Sequence, residues 1–546
     1  MHDLLLDLAK YVGGGLYFRC ELDQTENIQK VTRHFSFELG YNRYFDGFGT
    51  LCNTKSLRTF MSKSMSLNYF WSWNMKMSIH ELLSKFKFIR ILSLSYFSDL
   101  QELPNSVGNL EHLRSIDLSR TAIKRITEKI CLLSYLQILK LNYCKDLEVL
   151  PSNLHLLTNL CRLEFKETKV RKIPQHLGKL KNLKVVMNSF NVGFSREFNF
   201  QQLGELNLDE SLSIEELQNV ENSLDALEAD LKNKTHLVTL ELRWKENRNS
   251  IDSKKEKDII ENLQPSKNLK ELSIFGYSGK QFPKWLLENS LWNMTSLVLD
   301  ECESCQCLPP LGLLPFLKAL EITKLDGIVN IDADFHGNNS CSFKSLERLE
   351  FFNMSQWEKW DCQAVTGAFP RLQELSITNC PKLKGQLPQK LVPLEILQIE
   401  DCEQLEASSP RALYLNLRYS GKLQLEWATM KWLVLGGNNM ESSLQEIVGS
   451  DTLEHLMIYS PLESISDDCV SLWNFPLDIF PTLSTLHLTG FPNLQMISQG
   501  LIHNHLKDLQ IIRCHKLESL PENMHMLLPS LRYLSIEDCP RLEPFP

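Results

Sequence analysis

Apolar and polar residues alternate in a nine-residue pattern that recurs along this chain, most clearly in the segments Leu372–Cys380 and Leu394–Cys402, which begin 22 residues apart. In both segments the first, fourth and sixth positions are leucine or isoleucine, and the ninth is cysteine. Successive residues of a β-strand point to opposite faces. The fourth and sixth side chains should therefore face a core, whereas the third, fifth and seventh should face solvent. The pattern predicts one short parallel strand per copy.

The order L-x-x-L-x-L-x-x-N/C is the signature of the leucine-rich repeat, in which each unit supplies one strand and one return segment. The first five units are spaced 23 or 24 residues apart, and from Leu237 onward the spacing varies from 18 to 32. We therefore predict an α/β leucine-rich repeat solenoid. It should be an irregular horseshoe with a parallel β-sheet on the concave face and loops, turns or short helices on the convex face. The predicted starts are Ile89, Leu113, Leu136, Leu160, Leu183, Leu212, Leu237, Leu269, Met294, Leu317, Leu346, Leu372, Leu394, Ala412, Met430, Leu453, Leu483, Leu506 and Leu531.

Segments outside the regular pattern also carry local signals. Residues 1–15 have the apolar spacing of one amphipathic helix that ends at three consecutive glycines. We expect a strand at Thr32–Phe37. Two polar runs, Asn222–Lys232 and Asp252–Leu263, should be helical insertions between repeats.

Charge and cysteine placement narrow the functional classes. The formal net charge of −9 disfavours nucleic acid, which is bound mainly through Lys and Arg contacts to phosphates. No apolar run is long enough to span a membrane, and the acidic N-terminus does not resemble a secretion signal. Six of the 15 cysteines occupy the ninth position of a repeat, which is typical of reduced structural thiols. We predict a cytoplasmic protein without a membrane span or nucleic-acid partner.

The candidate metal and catalytic motifs are weak. Cys302, Cys305 and Cys307 have no second Cys or His pair at zinc spacing, and Cys302 already occupies a repeat position. The loop that starts at Asp332 places Phe343 where a calcium loop needs glutamate. The phosphate-binding pattern G-x-x-x-x-G-K-[ST] does not occur in the sequence. We predict no metal, no cofactor in this chain and no enzymatic activity.

The outward positions of the predicted strands carry the most information about function. Between Leu237 and Cys402 most charged outward residues are acidic, with Arg243 and Arg348 as the exceptions. Tyr, Trp and Arg are the usual anchors of protein interfaces. The predicted partner-binding residues are Tyr414, Arg418, Trp432, His455 and Tyr459, and an earlier basic set comprises Lys140, Arg162 and Lys166.

Several motifs resemble those of one plant family. Met1-His2-Asp3, followed by Leu-Leu-x-Asp-Leu-Ala, resembles the Met-His-Asp motif that closes the nucleotide-binding region of plant NLR disease resistance proteins. Thr32–Phe37, Ser56–Phe60, the Leu-Pro repeats and the unit Phe369–Cys380 resemble the coiled-coil, nucleotide-binding, leucine-rich repeat class. The resemblance covers essentially the whole chain, with the Met-His-Asp motif at its start.

The resemblance implies a domain order and a function. Residues 1–25 would be the C-terminal remnant of the nucleotide-binding and winged-helix region, residues 26–88 a cap with a first irregular repeat, and residues 89–546 about 19 repeats. In this family the repeats sense a pathogen effector or guarded host protein, and they restrain a nucleotide switch. His2 would contact ADP, but because the P-loop is missing from this sequence we expect no useful ADP or ATP affinity. By analogy, Lys140, Arg162 and Lys166 would make the autoinhibitory contact.

Other functions remain open on the sequence alone. A substrate-recognition subunit of a ubiquitin ligase would need an F-box-like segment before the repeats, which residues 1–80 do not resemble. An extracellular receptor would need a signal peptide and paired capping cysteines. A truncated, non-signalling fragment or decoy is a further alternative.

Overall fold

The computed structural model describes most of the chain. The described residues are 12–21, 28–38, 43–45, 56–63, 73–75, 78–193, 199–245, 252–288, 290–337, 342–361, 367–388, 391, 394–408, 411–421, 423–424, 430–437, 451–460 and 473–542. They form two compact units, the first made of residues 1–245 and 258–269, and the second of residues 246–257 and 270–546.

Parallel strands dominate the first unit. Nine strands form one sheet in the order β1-β2-β4-β6-β7-β8-β9-β10-β12, and β11, β13 and β14 are neighbours in another sheet. The strands are β1 Tyr17–Glu21, β2 His34–Glu38, β3 Arg43–Phe45, β4 Thr59–Lys63, β5 Trp73–Met75, β6 Ile91–Ser93, β7 Ser115–Asp117, β8 Ile138–Lys140, β9 Arg162–Glu164, β10 Lys184–Val186, β11 Ser189–Asn191, β12 Asn207–Leu208, β13 Glu210–Glu215 and β14 Leu237–Arg243.

The second unit contains one long parallel sheet in the order β15-β16-β17-β19-β21-β22-β24-β26-β27-β29-β31-β32, together with three two-stranded ladders. Its strands are β15 Glu271–Phe275, β16 Ser296–Asp300, β17 Ala319–Thr323, β18 Asn330–Ile331, β19 Arg348–Phe352, β20 Lys359–Trp360, β21 Glu374–Thr378, β22 Leu394–Cys402, β23 Ala407–Ser408, β24 Ala412–Ser420, β25 Leu423–Gln424, β26 Trp432–Gly436, β27 His455–Tyr459, β28 Asn474–Pro476, β29 Thr485–Thr489, β30 Met496–Ser498, β31 Asp508–Ile512 and β32 Tyr533–Glu537.

The helices of the described residues are short. The α-helices are α1 Ile79–Lys85, α2 Phe200–Glu205, α3 Ser253–Asn262, α4 Lys284–Leu287, α5 Ala333–His336 and α6 Met524–Leu527. The 3₁₀ helices are Gly14–Leu16, Asn105–Asn109, Glu128–Leu132, Leu154–Leu156, Leu177–Lys179, Leu217–Asn219, Ser223–Ala229, Leu231–Asn233, Leu311–Leu313 and Leu477–Ile479.

The alternation seen in the sequence determines which face of each strand is buried. In β21 and β22 the fourth and sixth positions are buried and the flanking positions are partly exposed. Leu375 is aligned with Leu397 and Ile377 with Ile399 across the two strands, which is the predicted 22-residue register. The predicted leucine-rich repeat fold is therefore confirmed.

Cysteines at the ninth position pack beneath the turn that follows each strand. Cys144 donates to the carbonyl oxygen of Leu118 at 3.1 Å, and Cys402 donates to that of Glu400 at 3.2 Å. Both thiols are buried, as expected. Cys539, which occupies the same position of its own repeat, is only partly buried. It follows β32, and among the described residues no strand covers the far side of β32.

Other local predictions differ in detail from the structure. The strand expected at Thr32–Phe37 is β2, which begins at His34. The run Asn222–Lys232 contains 3₁₀ turns rather than an α-helix, whereas α3 fills most of the second predicted insertion. The parallel ladder already begins at β1, before the first regular sequence repeat. Most of the helix expected at residues 1–15 lies outside the described residues.

Candidate protein-binding surface

The five predicted partner-binding residues come together on the exposed face of the second unit's sheet. We call Tyr414, Arg418, Trp432, His455 and Tyr459 the aromatic surface. They lie on the consecutive strands β24, β26 and β27. The parallel register aligns Tyr414 with Trp432 and Trp432 with His455, so these three rings form one row across the sheet.

The rings of this row are in direct contact. The ring centroids of Tyr414 and Trp432 are 5.6 Å apart, with an interplanar angle of 38°. Those of Trp432 and His455 are 4.1 Å apart, with an angle of 22°, which is a stacked arrangement. Aromatic pairs at these separations gain about 0.5–1.5 kcal/mol beyond the area they bury. The row is therefore pre-ordered before any partner arrives.

Arg418 and Tyr459 form a second row, and a glycine lies between them. The register aligns Arg418 with Gly436 and Gly436 with Tyr459. Because Gly436 has no side chain, Arg418 reaches across β26 and places its guanidinium carbon 4.7 Å from the centroid of the Tyr459 ring. A Cβ at position 436 would lie only 3.2 Å from the Arg418 side chain. The glycine thus permits this cation–π contact, and nothing in the sequence pattern had marked it.

Polar atoms on the aromatic surface lack partners among the described residues. The indole nitrogen of Trp432, Nδ1 of His455 and Oδ1 of Asn416 are buried without a hydrogen bond. Burial lowers the pKa of the His455 imidazole, although the nearby carboxylate of Glu454 opposes this shift. Burial raises the pKa of the Tyr414 phenol, because burial disfavours its charged form. These are neutral, poorly solvated groups, which are suited to hydrogen bonding with a docking protein.

Three residues lie between the two rows, of which Asn416 and Val434 are buried and Met457 is partly exposed. The fifth positions of the same strands are Asn416, Val434 and Met457, which lie side by side in the register. Asn416 donates to Glu400 at 2.7 Å, while Met457 accepts from the Tyr459 hydroxyl at 3.8 Å. Sequence reasoning missed these three residues, although they share the outward positions of units already identified.

Acidic residues occupy the exposed face on strands nearer the start of the same sheet. Glu321 and Glu350 are directly opposite each other on β17 and β19. Like charges in this arrangement are destabilising. Burial, and next the charge of Glu321, raises the pKa of the Glu350 carboxyl. Arg348, one of the two arginines among the outward acids, forms an ion pair with a third glutamate, Glu374, at 2.9 Å.

The predicted basic set lies in the first unit, where acids already pair with its charges. Lys140 is 3.5 Å from Glu164, Arg162 is 3.0 Å from Asp209 and Lys166 is 2.8 Å from Glu210. Arg162 also contacts Glu164 and Glu210. The hydrogen bond from Lys166 is the main cause of the lowered pKa of Glu210. The three residues are brought together as expected, but as part of an ion-pair network rather than as an open basic patch.

The remaining candidates add no second site. His2 lies outside the described residues. Cys302 and Cys305 are buried, and Cys305 donates to the carbonyl oxygen of Gly279 at 3.1 Å. Within the described ranges, no three His, Cys, Asp or Glu residues are grouped as metal ligands. In the part of the chain that the structure describes, no helix is long and apolar enough to cross a bilayer.

Comparison with known sequences places these features in a family context. The family model described as R13L1/DRL21 LRRs matches residues 200–325. A putative disease resistance protein of Arabidopsis thaliana is 40% identical over 74% of this chain and 29% of its own length. The putative disease resistance RPP13-like protein 1 of the same plant is 34% identical over 98% of this chain and 49% of its own length. Putative disease resistance protein RGA1 of Solanum bulbocastanum is 41% identical over 55% of this chain and 30% of its own length.

Solved structures with similar folds are more distant. The leucine-rich repeat ectodomain of the plant membrane receptor kinase GASSHO1/SCHENGEN3 from Arabidopsis thaliana is 15% identical, with a TM-score of 0.41, over 95% of this chain and 70% of its own. The sequence matches confirm the resemblance to plant disease resistance proteins with leucine-rich repeats. The chain spans about half or less of the length of the relatives described above.

Proposed function

We propose that this chain, a homologue of the leucine-rich repeat part of plant disease resistance proteins, is the recognition and autoinhibition region of an immune receptor inside the plant cell. In this proposal the aromatic surface binds a pathogen effector or a guarded host protein. The basic set restrains the receptor until that partner binds. The fold and the relatives point to a protein-binding repeat domain rather than to an enzyme.

The observation that carries the proposal is the continuity of the aromatic surface. Tyr414, Trp432 and His455 form one row of contacting rings, of which Trp432 and His455 are stacked. Buried polar atoms of this row have no partner among the described residues. Binding hot spots are commonly Trp, Tyr or Arg in well-packed surroundings, and each can contribute 2 kcal/mol or more. A solvated face without function would not need this arrangement.

Recognition can be tested in a full-length receptor that carries this region. Trp432→Ala and Tyr459→Ala should each abolish the defence response to the recognised effector and leave the resting receptor silent. Because both side chains lie on the outward face and are only partly buried, protein abundance should change little. Met496→Ala, at a partly buried position on β30 outside the surface, is a matched control that should keep the response. Full recognition by both aromatic variants would refute the binding role.

Autoinhibition needs a different design, because the basic set is already paired within the unit. Lys166→Glu should activate the receptor without a pathogen if Lys166 also contacts another domain. Reversing its partner at the same time, with Glu210→Lys, re-forms the pair between positions 166 and 210 with opposite polarity, although it also places a like charge beside Arg162. We expect this swap to remain active without a pathogen. If the swap restored the quiet state, Lys166 would matter only for the internal pair, and the restraint would lie elsewhere.

A further inference from the structure

A second binding site follows from an interruption of the ladder in the first unit. Strands β10 and β11 are successive parts of the run Lys184–Asn191, yet they belong to different sheets. The carbonyl of Val186 accepts from Phe165 of the preceding repeat at 2.9 Å, whereas the carbonyl of Asn188 accepts from Ser213 of the following repeat at 2.7 Å. In a regular parallel strand, residues i and i+2 bond to the same neighbour. The side of the strand on which every second residue forms its hydrogen bonds is therefore switched between Val186 and Asn188.

Among the described strands, this reversal leaves β11 at the edge of its sheet. On the β13 side, Asn188 accepts from Ser213, and Val192 donates to Glu215 at 3.0 Å. Ser189 and Asn191 consequently direct their backbone N–H and C=O groups away from β13. Among the described residues, none of these four backbone groups has a hydrogen-bond partner. Such an edge can pair with an additional extended chain.

A cleft of about 650 Å³ adjoins the free edge and lies wholly within the first unit. Small hydroxyl side chains line it, namely Ser189, Ser211, Ser213 and Thr239, and their size leaves the space open. Segment 165–170 of the preceding repeat contributes other lining residues, including Phe165 and Val170. The volume is within the range of roughly 300–1,000 Å³ that is usual for ligand pockets.

The charged residues around the cleft are mainly acidic. Glu167, Glu215 and Glu241 line it together with a single lysine or arginine, Arg243. Arg243 is paired with Glu241 at 2.9 Å, and Glu167 accepts from Asn188. Burial raises the pKa of the Glu215 carboxyl even though Arg171 and Arg243 lie nearby. A cationic group in the cleft would stabilise this partly desolvated carboxylate.

We propose that the cleft binds an extended, basic segment of another polypeptide, which adds a strand to the free edge of β11. The backbone of that segment pairs with Ser189 and Asn191. One of its Lys or Arg side chains lies against Glu215. This site is separate from the aromatic surface, which belongs to the other unit, so either site can fail without the other.

The test uses the whole purified chain and two libraries of blocked seven-residue peptides. Both have Val, Thr or Ser at odd positions, and the even positions are Lys or Arg in one library and Asp or Glu in the other. We expect affinity selection to enrich the basic library at least tenfold over the acidic one. The best basic peptide should slow hydrogen exchange of the Ser189 and Asn191 amides at least tenfold, with little change at Val192, which is already bonded. Equal enrichment, or protection confined to other segments, would overturn the proposal.

Variants separate edge pairing from simple charge attraction. Ser189→Pro removes the outward N–H and should weaken binding at least tenfold, whereas the matched control Ser189→Ala keeps that N–H and should bind like the unaltered chain. Glu215→Gln should weaken binding at least threefold, and Trp432→Ala should have no effect. If Ser189→Pro lowers the melting temperature, the unaltered chain is tested instead with a basic peptide whose backbone amides are N-methylated. This peptide should not bind. Undiminished binding of the N-methylated peptide would exclude strand addition.

Discussion

Replacing Leu375 with asparagine should lower the free energy of unfolding by about 4 kcal/mol, because this side chain is at the centre of a repeat core. Leu375 is fully buried and is aligned with Leu349 and Leu397 on the neighbouring strands. Removing a buried leucine side chain costs roughly 2–5 kcal/mol through lost apolar burial and the cavity left behind. An asparagine amide fills part of that cavity, but without a hydrogen-bond partner it adds a penalty of about 1–3 kcal/mol.

Urea denaturation followed by tryptophan fluorescence would measure this effect, with Trp357 contributing beside the other nine tryptophans of the chain. Trp357 and Phe351 both lie in the repeat that precedes the one containing Leu375. Trp357 is fully buried, and its ring centroid is 4.7 Å from that of Phe351, so loosening of the core should shift the Trp357 emission. With an m-value of about 2–3 kcal/mol per molar urea, the midpoint should fall by about 1.5 M. Because each repeat contacts mainly its neighbours, the urea midpoint of this repeat and its neighbours should fall more than the midpoint of distant repeats.

The neighbouring residue provides the control. Ser376 is on the opposite face of β21, is partly exposed and is aligned with Gln398. Ser376→Ala should change stability by no more than about 0.5 kcal/mol. If Ser376→Ala were the more damaging change, the strand register would be displaced by one residue, and every outward residue used above would face the core.

Three further predictions concern the thiols, one carboxylate and the nucleotide. Under native conditions Cys402, whose pKa is raised by contact with the Cys380 thiol and by burial, should react with a thiol reagent far more slowly than partly exposed Cys539, and denaturation should equalise the rates. Equal native rates would contradict the ladder packing. Because the pKa of Glu350 is raised in the folded state, protonation of this carboxyl stabilises the fold. This stabilisation is present at low pH and is lost as pH rises through the folded-state pKa. Glu350→Gln should therefore stabilise the chain at pH 7 but not near pH ~3.5, where both states are protonated; a gain independent of pH would refute this. Calorimetry should detect no ADP binding to this chain, because the sequence lacks the P-loop pattern; micromolar affinity would contradict that expectation.

The sequence predicted the strands well because burial imposes a strict period of two. An outward glutamate and an inward leucine, such as Glu374 and Leu375, reveal the strand and its register without further information. The row formed by Tyr414, Trp432 and His455 followed from the same period, since aligned repeats place equivalent positions side by side.

Features that depend on contacts between repeats were not predictable in this way. The pairing of Arg162 with Asp209 joins residues that are 47 positions apart, and no local pattern indicates it. The reversal after Val186 depends on which neighbour each carbonyl reaches, and the short strands there give no signal in composition. Gly436 acts by lacking a side chain between Arg418 and Tyr459, which becomes visible only when three strands are viewed together.

The most direct test of the binding surface is hydroxyl-radical footprinting of the receptor with and without the partner it recognises. Tyr414, Trp432 and Tyr459 should be oxidised in the free protein and protected at least threefold in the complex. Trp292 and Trp473 are exposed, are not part of the aromatic surface, and should react equally in both states. If Trp432 stayed reactive in the complex while Trp292 or Trp473 became protected, the partner would bind elsewhere, and the aromatic surface would not be the recognition site.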